Sequence, residues 1–208
     1  MRQTEILRKI FFVGAAILIA GAGIFFGLTT CRGDQTMNGY LMYASRHPEL
    51  NFTFKHPPDW KPAESQGKRE HYTAVDVVGP WNKEDSYSVG FSITNRSAEG
   101  KDPGELLSEY LKTSSRFSQF KTIAAKNISI DKAKIMSSTY EYVMRLPLRK
   151  LNSKDVLMRG ETFFVVRDGK SYRFTFTGTA KQFDRYLPVF KQMIKTFQFV
   201  KPETVPNP

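Results

Sequence analysis

Hydrophobic positions in this chain follow three patterns: one unbroken apolar run, several alternating stretches, and two stripes at helical spacing. The unbroken run covers residues 10–28, nineteen positions without a charge. A bilayer core needs about 20 apolar residues in a helix, so the run predicts a membrane-spanning anchor. Arg2, Arg8 and Lys9 precede it. A basic flank stays on the cytoplasmic side, which sends the rest of the chain outward.

Alternation begins at Asn51-Phe52-Thr53-Phe54-Lys55 and predicts a half-buried strand. Pro57 and Pro58 cannot donate to a ladder, so the strand must stop there, and Trp60 is expected to fold its ring back over the sheet just begun. Residues 72–78 and 87–94 read as further strands, separated by a polar loop over residues 80–85 that carries Trp81. A short strand is expected over 127–130, then a turn at Asp131-Lys132 and a strand over 135–146 with Tyr140, Tyr142 and Met144 on one side. Asp168-Gly169 predicts a hairpin between strands over 156–166 and 171–178.

The helical stripes carry their own start signals. Asp102, Pro103 and Glu105 form a capping pattern ahead of Leu106, Leu107, Tyr110, Leu111, Ser114 and Phe117. Thr179 and Gln182 do the same ahead of Phe183, Tyr186, Leu187, Phe190, Ile194 and Phe197. Pro188 lies inside that second stripe and predicts a kink or irregular turn. Hairpin-linked strands with two one-faced helices define an α+β fold, an antiparallel β-sheet flanked by helices. The predicted organisation is a basic flank at 1–9, the anchor at 10–28, a tether at 29–46, one domain at 47–200 and a loose tail at 201–208.

Composition and charge narrow the function. The chain of 208 residues has a formal net charge of +11, and the part after Cys31 retains 28 basic against 19 acidic residues, or +9. That excess favours anionic surroundings in an envelope: lipid headgroups, wall polymers or an acidic protein patch. No nucleic-acid-binding motif accompanies it, and nucleic acid is not expected as a partner. The last helix concentrates the charge in Lys181, Arg185, Lys191 and Lys195. Like charges four residues apart disfavour an isolated helix, so an anionic partner for this face is one reading, with the loop around Trp81 as a further contact candidate. A solvated face with Lys191 and Lys195 complementing the C-terminal dipole is the other.

Cys31 is the only cysteine, so an intramolecular disulfide is impossible. Leu28-Thr29-Thr30-Cys31 resembles the site at which bacterial lipoproteins are cut and lipidated, although Thr30 replaces the usual small residue. The length of the apolar run favours an uncut signal anchor over that alternative. Gly23 and Gly27 place a G-x-x-x-G spacing within the run, which lets two helices approach. His47, His56 and His71 are the only imidazoles, and His56, His71 and Asp76 are weak metal candidates whose spacing matches no compact site. There is no G-x-S-x-G elbow, no H-E-x-x-H and no phosphate-binding glycine loop. No enzyme activity, catalytic residue or cofactor is expected.

The strand and turn "NFTFKHPPDW" resembles the aromatic strand and Tyr-Pro-x-x-Trp of the PsbP family, with His56 in place of the tyrosine. The stretch "GETFFVVRDGKSYRFTFTGTAKQFDRYLPVFKQMIKTFQF" resembles that family's closing hairpin, helix and final strand. The resemblance covers roughly residues 47–200 and implies an α/β/α sandwich. It also implies a bacterial membrane-tethered accessory protein or lipoprotein, with no cofactor ligand to carry over. The expected function is binding or stabilising another envelope component. A small-ligand or lipid-binding module, with a cavity lined by Phe91, Tyr142 and Phe174, is the alternative. The oligomeric state is left open.

Overall fold

In a computed structural model of the chain, the described residues are 39–45, 47–67, 71–130, 133–148 and 150–200. The predicted anchor, Cys31, the Asp131-Lys132 turn and the 201–208 tail lie outside them. Ten strands and two helices follow in chain order among the described residues. They are β1 (Leu41–Ala44), β2 (Phe52–His56), β3 (Lys61–Gly67), β4 (Tyr72–Asn82) and β5 (Tyr87–Ser97), then α1 (Pro103–Ser114). Next come β6 (Ser118–Ile130), β7 (Ala133–Leu146), β8 (Lys154–Arg167), β9 (Lys170–Thr179), α2 (Ala180–Lys195) and β10 (Gln198–Phe199).

All pairings are antiparallel. Seven strands form a large sheet in the order β3-β4-β5-β9-β8-β7-β6, and β1-β2-β10 form a small one. One face of the large sheet packs against the small sheet and α2. Phe91, Phe163, Phe174 and Phe176 project from it into a core completed by Phe52, Phe54, Phe183, Phe190 and Phe197. The Phe176 and Phe190 rings stack at 4.8 Å, and those of Phe163 and Phe174 at 4.7 Å. The other face packs against α1 through Tyr140, Tyr142, Leu146 and Met158. An α+β sandwich results, because each apolar strand face finds a separate apolar partner.

Both capping patterns operate. Asp102 Oδ1 accepts from the Gly104 and Glu105 N–H groups at 2.7 and 2.9 Å, and Glu105 Oε2 accepts from the Asp102 N–H at 2.9 Å. Thr179 and Gln182 form the same reciprocal box at the start of α2. Helix α2 continues through Pro188 rather than breaking there. Pro188 and Asp184, whose carbonyl loses its hydrogen-bond partner, are both exposed, so water can satisfy that oxygen.

Other departures from the pattern have physical reasons. Leu41–Ala44, assigned to the tether, pair with β2, and only Tyr43 of these four is buried. Strand β3 was not anticipated after the Pro-Pro stop, because this edge strand is almost wholly exposed and so lacks alternation. Strand β4 extends through Trp81, which pairs with Ser88 where a loop was expected, after a register shift between Val78 and Trp81. Strand β6 is 13 residues long rather than a short strand over 127–130, and most of its positions face water. The Trp60 ring is buried in the same core as Phe52 and Phe54 of β2. It reaches the large sheet at Gly79, where an added Cβ would lie 2.8 Å from Trp60 Cε2, and meets Tyr186 of α2 at 5.9 Å.

Candidate functional site

A hydrogen-bonded contact joins the start of α2 to the β4–β5 hairpin. The Gln182 side chain is buried, and its Nε2 donates to the Tyr87 carbonyl at 3.2 Å and to the Pro80 carbonyl at 3.5 Å. Trp81 follows Pro80 directly and is 58% exposed, whereas Trp60 is 2% exposed. The Trp81 backbone therefore lies near the first turn of α2, which carries Lys181 and Arg185. Arg185 also lies over the Tyr186 ring at 5.3 Å.

Lys181, Arg185, Lys191 and Lys195 are all exposed. At 100° per residue they occupy one arc of about 120°, which also holds Asp184, Pro188 and Gln192. The stripe runs about 21 Å at 1.5 Å rise per residue. None of these four cations forms an ion pair with a described residue. Asp184, the one acid on this helix, is instead held by Arg159 from β8. The result is an elongated cationic strip with the Trp81 backbone near its N-terminal end.

The metal candidates do not meet. His56 is buried at the end of β2, its Nδ1 is 2.8 Å from the Pro57 carbonyl, and burial pushes its pKa down. His71 is exposed in the β3–β4 turn with φ of 47°. His47 Nδ1 accepts from the Glu49 N–H at 3.1 Å. Asp76 lies on the α1 side of the large sheet, where burial raises its pKa against the lowering effects of a Ser92 hydrogen bond and nearby Arg173. Among the described residues, no group of three or more His, Cys, Asp or Glu is arranged to hold a metal.

Phe91, Tyr142 and Phe174 do not line one cavity. Phe91 and Phe174 belong to the filled core beneath α2, while Tyr142 stacks on Phe117 at 4.9 Å on the opposite sheet face. A polar cavity of about 630 Å³ lies instead at the tip of the β8–β9 hairpin, among Glu49, His71, Asn95, Arg96, Asp168 and Lys170. Glu49 and Lys170 pair across it.

Sequence reasoning missed a charge network on the α2 side of β7 and β8. Glu141 and Glu161 are both buried. Arg159 donates to Glu141 through Nε at 3.0 Å and Nη2 at 2.6 Å, and Lys121 reaches Glu141 at 3.0 Å. The Arg159 guanidinium holds the Glu141 carboxyl below its usual pKa, with Lys121 adding to the effect. Lys126 Nζ and Ser137 Oγ donate to Glu161 at 2.9 and 3.0 Å. These carboxylates are already partnered, which suits cross-strand bracing better than proton transfer.

No family model matches the sequence, and no curated protein matches it. Solved structures do. LpqN of Mycobacterium tuberculosis, described as involved in cell envelope biogenesis, aligns with a TM-score of 0.51 and 11% identity over 79% of this chain and 93% of LpqN. Cyanobacterial PsbP of Synechocystis aligns at 0.49 and 16% identity over 83% of this chain and 98% of that one. A Bacteroides thetaiotaomicron protein aligns at 0.46 and 16% identity, and the chain covers 80% of itself but only 50% of that protein. With its antiparallel sheet held between α1 on one face and α2 with the small sheet on the other, the described domain shares its fold with LpqN.

Proposed function

We propose that this chain is a non-enzymatic accessory protein, tethered to a membrane by residues 10–28, whose domain binds an acidic envelope component on the extracytoplasmic side. The observation that carries this reading is the strip of Lys181, Arg185, Lys191 and Lys195, without an ion pair among the described residues, on a helix whose Gln182 bonds the Pro80 carbonyl next to the exposed Trp81. Tryptophan and arginine are common anchors of protein interfaces, and the three lysines add charge complementarity to an acidic partner. The involvement of LpqN in cell envelope biogenesis agrees with this reading. No helix among the described residues is long and apolar enough to cross a membrane. The filled aromatic core gives less support to a small-ligand role.

Chemical cross-linking in intact cells, followed by solubilisation and mass spectrometry, tests the proposal. Adducts to one acidic envelope protein through Lys181, Lys191 or Lys195 are the expected result. Recovery of lipid, glycan or self adducts alone would sink it.

A further inference from the structure

The two edges of the large sheet differ in how they are protected. On β3, Pro62 has no N–H to offer a partner strand, and Glu64 Oε1 accepts from the Tyr43 hydroxyl and Ser45 Oγ, both at 2.7 Å. Those contacts hold β1 and the residue after it against that edge. Strand β6 contains no proline, and its register irregularities lie before Ala124. From the Ala124–Thr139 pair to the Ile130–Ala133 pair, each residue has one partner on β7. Ala124, Ala125, Asn127 and Ser129 are exposed. Lysines usually guard such edges. Here Lys121 and Lys126 turn over the sheet face to Glu141 and Glu161 and leave the edge open.

We propose that β6 is a homodimer interface, in which residues 124–130 pair antiparallel with the same segment of a second copy about a dyad at Asn127. The large sheet then continues from one copy into the next through main-chain hydrogen bonds. This register places Lys126 opposite Ile128 and Ala125 opposite Ser129, so no like charges face each other. Met136, which is paired with Asn127 on β7 and is 49% exposed, flanks the dyad from both sides. A dyad normal to the sheet keeps the same face of each copy on the same side. The two layers that contain β1 therefore look in one direction.

The test uses the full chain in its own membrane, with Cys31→Ser as background and one new cysteine at a time. Under mild oxidation Asn127→Cys should give a disulfide-linked dimer, because residues opposed in an antiparallel pair lie about 4.5–5.5 Å apart at Cα. Ser65→Cys on the guarded β3 edge should remain monomeric. Adding Ala125→Lys with Ser129→Lys opposes lysines across the dyad and should reduce the linked fraction roughly tenfold. Both positions are exposed, and circular dichroism would confirm that the variant remains folded. Absence of the Asn127 link overturns the proposal, as does a link that survives the lysine pair unchanged. Stronger linkage from Ser129→Cys than from Asn127→Cys overturns the register.

Discussion

Gly79 shows how one residue positions a tryptophan. A Cβ there would lie 2.7 Å from Val89 Cγ1 and 2.8 Å from the Trp60 ring, closer than side chains can pack. Gly79→Ala should destabilise the domain by about 1–3 kcal/mol, the usual cost of overpacking, and red-shift part of the tryptophan emission as Trp60 moves. An unchanged denaturation midpoint would show that Trp60 is not seated against this glycine. His56 offers a second residue-level test. Burial lowers its folded pKa, so its contribution to stability is complete above the unfolded value of about 6.5. As the pH falls below that value the unfolded chain takes up the proton first, and stability declines until the folded pKa is passed. His56→Phe should flatten this decline in urea titrations at pH 5–7; an unaltered slope would assign it to another group.

At the scale of elements, the network around Arg159 ties β6, β7, β8 and α2 together. Arg159 bonds Glu141 on the neighbouring strand and Asp184 on the helix, while Lys121 ties β6 to the same Glu141. Because Glu141 has a lowered folded pKa, its stabilisation is present above the ordinary carboxylate range and is lost as the pH falls through the folded value. Glu141→Gln should therefore cost about 1.5–3 kcal/mol at neutral pH, with the deficit shrinking on acidification. A deficit independent of pH would indicate lost packing rather than lost charge. The helices needed less tertiary context. Their caps and most of their apolar stripes could be read from residue spacing, since the i to i+3 and i+4 contacts lie within a few residues, but Phe117 and Phe197 lie past the helix ends at Ser114 and Lys195. Edge strands β3 and β6 carry little alternation because neither side of much of their length is buried.

For the whole molecule, the strip on α2 makes a claim separate from stability. Lys191 and Lys195 are exposed and make no ion pair with a described residue, so Lys191→Glu with Lys195→Glu should leave the thermal midpoint within about 1–2 °C of the parent. The same variant should lose most of its envelope-protein adducts in cells. Normal adduct recovery would place the contact on another face. The strip exists because α2 uses its aromatic side to cover the Phe-rich sheet, which turns the basic side outward.

Local sequence determined what depends on neighbours in the chain: the apolar run, both helices with their caps, the Asp168-Gly169 hairpin and the alternating strands of the core. It also carried the resemblance that implied an α/β/α sandwich, and it singled out Trp81 and the four cations of the last helix. Tertiary structure alone decided that Trp60, in the turn between β2 and β3, reaches Gly79 of the large sheet and that Gln182 bonds the Pro80 and Tyr87 carbonyls. It also separated His56, His71 and Asp76, and placed Phe91 and Tyr142 on opposite faces of one sheet. The reason is distance along the chain. Gln182 lies about a hundred residues from Tyr87 and Arg159 lies 18 from Glu141. Such pairs are set by strand order and register, which no local pattern encodes.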